Sequence, residues 1–325
     1  MEPLLKATVS DAPTRIFVDP WSAEYGSPNQ IDDSDDDDGI AELIESEGFG
    51  FVAPPSTDLI LPIAFVDGRR RAEALLSQWS SGSAIPGLAG AFAVGAVLVQ
   101  PGGVPEFARE RIRRLVIWSA GAKGSLPPVA GGWAWETSAT AETGPSVALR
   151  KLQETMRDAE ADLAKALAGE GYLVVTDGTL WFATGDRSDR IAGYVKTHHR
   201  RLLPLAQSEL LFHLPARQRT TIFSTGRRYS CYLRLTEPAA FHAPLSGLIR
   251  LEFSNSIPLA DVRTMADQLS ARLPAYAGIL HVDPRAPQNL QPVGALEHRL
   301  SHLFGHPGLA ARAVREAVVL LRKSV

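Results

Sequence analysis

The stretch Tyr172–Phe182, YLVVTDGTLWF, decides how this chain is read. An apolar run closes on a carboxylate, Asp177, and Gly178 follows at once. With Gly171 before it and Gly178 after it, the run predicts a buried strand. The end of a buried strand is a costly place for a bare carboxylate, because desolvation is unfavourable unless a cation or hydrogen-bond donors meet the charge. Gly178 permits a sharp turn and the close approach of another group. The same arrangement occurs upstream, where Ile60–Gly68 reads ILPIAFVDG and Asp67 holds the corresponding place. Two buried strands that each finish in Asp-Gly predict two carboxylates brought together, and the usual reason for such a pairing is a metal ion.

Working outward, Ala91–Val99 predicts a second strand, and Arg109–Arg114 leads into a third at Leu115–Trp118. A Gly/Pro/Trp-rich loop spans Gly121–Ala141. Ser146–Ala168 predicts a long helix, with Leu149, Leu152, Met156, Ala159, Leu163 and Leu167 at helical spacing. After the Asp177 strand, Leu180–Ala183 continues beyond the turn, and strands are predicted within Ile191–Pro204 and at Thr221–Ser224, Tyr229–Leu235, Leu248–Phe253 and Ile279–Val282. Helices are predicted at Pro258–Leu273, Val293–Phe304 and Leu309–Arg322, with a short one at Ile40–Ser46. Short early connections argue for antiparallel pairing, and the long helix argues for a crossover to a parallel neighbour. The expected fold class is α/β: a ribonuclease H-like mixed sheet flanked by helices, with a C-terminal helical extension. In that architecture the first strand supplies an Asp, the long helix a Glu and the next strand another Asp.

The helix offers Glu154, Asp158, Glu160 and Asp162. Glu160 fits best, one residue after Ala159 and three before Leu163, at the edge of the apolar stripe. Asp67, Glu160 and Asp177 together suit hard divalent cations with oxygen ligands, Mn²⁺ or Mg²⁺. Such a site clamps a phosphodiester, activates water and stabilises the leaving oxygen.

The chain has 325 residues, 45% hydrophobic and 21% charged, which suffices for a sizeable core. Its net charge of −3 does not announce a nucleic-acid binder. Six aspartates, Asp32, Asp33 and Asp35–Asp38, crowd one N-terminal stretch, and without them the remainder is net basic. Residues 1–56 read as an acidic, mostly flexible segment and 57–325 as the nuclease-like domain. The single cysteine, Cys231, excludes an internal disulfide and a cysteine-cluster zinc site, which fits a reducing, cytoplasmic compartment. No apolar run approaches the roughly 18 residues that span a bilayer, and MEPLLKATVS lacks the order of a signal peptide.

Four pieces carry a resemblance to a known family: FVDG at Phe65–Gly68, the helix with Glu160, VVTDGTL at Val174–Leu180 and GYVKTHHR at Gly193–Arg200. The segment PQNLQPVGALE before a C-terminal helix adds a fifth. In this ordered set the chain resembles the NurA nucleases, over roughly residues 60 to 310. The resemblance implies a ribonuclease H-like fold, a homodimer, manganese preference, single-strand exonuclease and endonuclease activity, and a HerA-type hexameric ATPase as partner in DNA end processing. It implies Asp67, Glu160 and Asp177 as metal ligands. The chain also departs from the pattern. Arg69 stands where the family commonly has Ser or Thr. Ala286 and Gly294 stand where it has a Tyr and a His. His298, one helical turn beyond Gly294, is the candidate substitute for that His; the alternative is an incomplete site.

Lys196, in an apolar strand, is placed to stabilise charge developing on a phosphate. His198, His199, Arg200 and Arg201 follow it as candidate DNA contacts, with Arg69 and Arg70 beyond the first Asp. Arg69–Arg71, Arg109–Arg114 and Arg217–Arg228 together suit a phosphate-tracking groove. Trp133, Trp135 and Trp181 read as base-stacking or core residues. Two other functions fit parts of this pattern: a nuclease-like adaptor that has lost cleavage, and an actin-like ATPase or sugar kinase, whose folds also place Asp-Gly turns after strands.

Overall fold

The computed structural model describes residues 15–18, 41–55, 60–80, 83–144, 146–182, 189–198, 201–226, 228–238 and 243–323. In chain order the strands before the long helix are β1 (Arg15–Val18), β2 (Glu42–Leu43), β3 (Phe51–Val52), β4 (Ile63–Ser80), β5 (Ser83–Val99), β6 (Glu106–Trp118) and β7 (Glu136–Ala139). Then come helix α1 (Val147–Gly169), β8 (Leu173–Asp177), β9 (Ile191–Val195) and the short helix α2 (Leu205–Leu210). The remainder is β10 (Arg219–Thr220), β11 (Phe223–Ser224), β12 (Arg228–Arg234), β13 (Leu248–Ser254), α3 (Leu259–Arg272), α4 (Gln291–Leu303) and α5 (Pro307–Lys323).

These strands form one large mixed sheet in the order β2-β11-β12-β13-β9-β8-β4-β5-β6-β7, with β1 paired to β4, and β10 to β12 and β3, off this path. β4, β5 and β6 are antiparallel neighbours. β8 lies parallel to β4 on its other side, after the crossover through α1, and β9 lies parallel to β8. Beyond β9 the pairing with β13 and β12 is antiparallel again.

The central strands are buried on both faces, so they read as continuous apolar runs. Ile63, Phe65, Leu173 and Val175 lie in one core with residues of α3 and α4, such as Val262, Leu269, Val293 and Leu296. Ala64, Val66 and Val174 face the other way, against Ala164 and Leu167 of α1. This period of two fixes which helix each later strand residue meets. C-terminal helix α5 packs on β1 and the outer half of β4, and Val314 and Val318 join a separate cluster with Leu76, Val116 and Trp118.

Several elements differ from the sequence expectation. The first strand does not end at Asp67. It continues to Ser80, pairing with β5 along its length, so Asp67 and Gly68 lie in mid-strand opposite Gly95 and Val94. Arg69–Arg71 and Arg109–Arg114 are accordingly residues of β4 and β6. Ile40–Ser46 contains strand β2 instead of a helix, because Leu43 and Glu42 pair with Phe223 and Ser224. Ile279–Val282 is a turn closed by the Val282 amide donating to the Ile279 carbonyl at 2.9 Å. Leu180 forms no strand, since its amide donates to the Glu252 carboxylate at 3.0 Å; Ala183 lies outside the described residues. The loop Gly121–Ala141 contains β7, paired parallel to β6. Among the described residues no helix is long and apolar enough to cross a membrane.

Candidate metal centre

Asp67 follows Ile63 and Phe65 at a spacing of two, and Asp177 follows Leu173 and Val175 in the same way. Both carboxylates therefore project on the α4 face of the sheet. The parallel register pairs Phe65 with Val175 and Val66 with Thr176, which sets Asp67 beside Asp177. Across from them, α4 presents Glu297. Ligand oxygens of Asp67, Asp177 and Glu297 all lie within 4.8 Å of one another. Close approach of α4 depends on Gly95, directly opposite Asp67 on β5. A Cβ there would stand 3.2 Å from Leu300 Cδ2 and 3.3 Å from Leu296 Cδ1.

Glu160 approaches from the opposite face of the sheet and stays outside the set of carboxylates whose ligand oxygens lie within 4.8 Å of one another. It lies one turn of α1 beyond Met156, over the backbone of Gly68. A Cβ at Gly68 would stand 3.1 Å from Met156 Cγ and would overlap the Glu160 carboxylate outright. That is the physical content of this Asp-Gly pair: the glycine makes no turn here, but leaves the gap that the Glu160 carboxylate occupies over the strand.

The electrostatics follow. Burial pushes the Asp67 carboxyl well above the ordinary range, and the charges of Asp177 and Glu160 push it further, against the pull of Lys196. Asp67 Oδ1 accepts a hydrogen bond from the Gly68 amide at 2.8 Å, whereas Asp67 Oδ2 is buried with no hydrogen-bond partner. Glu160 is raised to about 8, by burial first and then by Asp177, with Arg157 opposing. Carboxyls raised in this way are a functional-site signature when they face one another.

Asp177 and Glu297 have local cations. Lys196 Nζ donates to Asp177 Oδ2 at 2.6 Å and to Asn289 Oδ1 at 2.6 Å. Asn289 Nδ2 in turn donates to Asp283 Oδ2 at 2.6 Å. Arg285 donates to both oxygens of Glu297, at 3.0 and 2.5 Å, and to Asp283. Burial opposes the charge on Glu297, but Arg285, Lys196 and Arg69 outweigh it and hold the group below its usual value. The Asp283 carboxyl is lowered mainly by Arg285. The segment Asp283–Asn289 thus grips the lysine with one end and the glutamate with the other.

Of the sequence candidates, Asp67, Asp177 and Lys196 come together here, whereas Glu160 lies near enough to raise the Asp67 carboxyl without joining the set formed by Asp67, Asp177 and Glu297. Arg69 stands 3.9 Å from Glu297 at the margin. Arg70 bonds to Gln153 of α1. His198 points elsewhere, with Nε2 3.0 Å from the Leu248 carbonyl oxygen and its ring against Tyr232. Arg201 is exposed, and His199 and Arg200 lie outside the described residues. His298 is exposed and packs edge-on against His302, at 4.4 Å between ring centroids. Its neighbour Glu297 takes the inward position. The signal for this was present in the sequence: Val293, Leu296, Glu297 and Leu300 share one helical face, and His298 lies about 100° further round. No such periodic cue marked Asp283, Arg285 or Asn289, which act from turns.

A divalent cation fits this site on two counts. Three carboxylates, from β4, β8 and α4, converge with Glu160 of α1 nearby, and one buried oxygen of Asp67 is left without a donor. All-oxygen donors select a hard ion. No protein-family model matches this chain, and no curated protein matches it.

Proposed function

We propose that this protein is a divalent-metal-dependent nuclease that hydrolyses phosphodiester bonds in DNA. The observation that carries the reading is the convergence of Asp67, Asp177 and Glu297, with Asp67 Oδ2 unpartnered among them and Glu160 nearby. An antiparallel trio of strands followed by a helical crossover to a parallel neighbour supports the ribonuclease H-like assignment. The order Asp on the first strand, Glu on the helix and Asp on the next strand supports the resemblance to the NurA nucleases.

Asp67, Asp177 and Glu297 would hold the ion, and Mn²⁺ or Mg²⁺ suits this donor set. When bound, the ion supplies Lewis-acid stabilisation of a phosphate and acidifies water at neutral pH. The chain's own groups do the rest. Lys196, fixed between Asp177 and Asn289, presents a cation to charge developing on the phosphoryl oxygens. Arg69 adds positive charge at the mouth. Arg285 orients Glu297 through two parallel hydrogen bonds. Burial of Asp67 and Glu160 keeps these carboxylates poorly solvated, so that a cation is the favourable partner.

The test is incubation of labelled single-stranded DNA with the purified protein and Mn²⁺ beside Asp177→Ala. Cleavage by the wild type and none by the folded variant is the expected result. Equal degradation by both removes the assignment.

A further inference from the structure

Trp118 is fully buried and Trp135 nearly so, but Trp181 is 42% exposed. It sits on the turn after β8, four residues beyond Asp177. Beneath it Leu180 is buried in the core against Val66 and Val174. The backbone of this turn is pinned at three points. Gly178 donates to the Tyr194 carbonyl at 2.9 Å, Leu180 to the Glu252 carboxylate at 3.0 Å, and Trp181 to the Thr179 carbonyl at 3.1 Å. The Trp181 ring contacts Phe182 edge-on, with centroids 5.5 Å apart, and Lys165 of α1 stands over Phe182. One open cleft is lined by Trp181, Phe182, Thr179, Arg157, Glu160 and Asp177. An indole held on a rigid base therefore shares a cleft with Asp177 of the acidic cluster, with Glu160 and with Arg157.

We propose that Trp181 is the stacking platform for an unpaired nucleobase adjoining the metal centre, with Arg157 and Lys165 flanking it on the backbone side. This rests on the nuclease reading above, with whose acidic cluster the cleft shares Asp177. The chemistry of the wall is what such a ligand needs: an aromatic face for the base, cations for the phosphates and carboxylates for the ion. A base in a duplex is already stacked on both sides, so the platform serves a single strand or a frayed end. Because Leu180 and the three backbone hydrogen bonds hold the turn, Trp181 requires little ordering when the ligand arrives.

The experiment measures binding of a fluorescein-labelled oligodeoxythymidylate and of an abasic strand of the same length, with Ca²⁺ present. The wild type is expected to prefer the base-bearing strand by at least about fivefold, the lower end of what one stacked base contributes. Trp181→Ala is expected to lose that preference while binding the abasic strand as the wild type does, and Trp181→Phe to keep most of it. Thermal melting checks that both variants fold. A wild type that does not distinguish the strands, or binds neither, overturns the proposal, as does a Trp181→Ala protein that still distinguishes them. Cleavage with Mn²⁺ is scored separately. Base preference without cleavage retains the stacking site and removes the nuclease reading; cleavage without base preference does the reverse.

Discussion

Lys196 Nζ lies 2.6 Å from Asp177 Oδ2, across two adjacent parallel strands, and Asn289 holds its other side. Lys196→Met keeps the stem and removes the charge. In the metal-free protein it leaves Asp177 among like charges, and a loss of about 1.5–3 kcal/mol in urea denaturation is expected. Saturating Mn²⁺ is expected to recover part of that loss, because the ion replaces the missing cation. Cleavage is expected to fall by about 10²- to 10³-fold, the usual effect of removing one preorganised donor. An unchanged rate would remove Lys196 from the chemistry.

Glu297 and His298 are neighbours in sequence and point in different directions. Titration calorimetry with Mn²⁺ separates them. Glu297→Gln is expected to weaken binding by roughly tenfold or more, the scale on which metal sites respond to loss of supporting groups. His298→Ala is expected to leave affinity unchanged, since that ring rests on His302 outside the cluster. The opposite result would return the histidine to the site.

Glu160 makes the site sensitive to pH. Its carboxyl is raised from 4.5 to about 8, so the native state holds a proton that the unfolded chain releases. A raised carboxyl costs no stability below about pH 4.5, and the cost grows as pH rises towards its native value. Glu160→Gln is therefore expected to raise the melting temperature of metal-free protein relative to wild type, more at about pH 9 than at about pH 5. Mn²⁺ is expected to reverse the ranking at high pH, and its uptake by the wild type near neutral pH is expected to release protons into a weakly buffered solution. A difference in melting temperature that does not vary with pH would argue against the raised carboxyl.

Arg219 is buried at the far side of the sheet, where it donates to both oxygens of Glu45 at 2.8 Å and to Asp267 at 2.8 Å. Glu45 also accepts from the Ile222 amide at 2.7 Å, which ties the segment bearing β2 and β3 to the sheet. Arg219→Met strands two carboxylates and is expected to cost about 3–5 kcal/mol in urea denaturation. Burial works against the charge of Glu45, but Arg219 and the Ile222 amide bring the group below its ordinary value. Its contribution is thus present above about pH 4.5 and lost as pH falls through the lowered value, so the penalty of Glu45→Gln is expected to shrink in acid. A penalty that persists in acid would show that shape rather than charge sets it.

Local pattern carried a large part of this architecture. The apolar runs at β5, β8 and β13 and the helical spacing of Leu149, Leu152 and Met156 in α1 are written in neighbouring residues, because each element must bury its own face. The two Asp-Gly pairs were equally visible, but their geometry was not. Asp67 looked like a strand end, yet β5 offers pairing partners all the way to Ser80, and a strand stops only where its ladder does. Gly68 and Gly178 read alike; one passes straight through the sheet beneath Glu160, and the other turns with a φ of +97°.

The amino-acid sequence by itself determined the mixed α/β sheet and the meeting of Asp67 with Asp177, since spacing and residue type suffice for these. Tertiary structure alone decided that Glu297 and not His298 faces the cluster, that Asp283–Asn289 grips both Lys196 and Glu297, and that Trp181 is exposed beside the carboxylates. Each depends on how segments far apart in the chain are rotated against one another. That rotation is set by the packing of whole faces, such as Leu296 and Leu300 against the sheet at Gly95, which no short window of sequence contains.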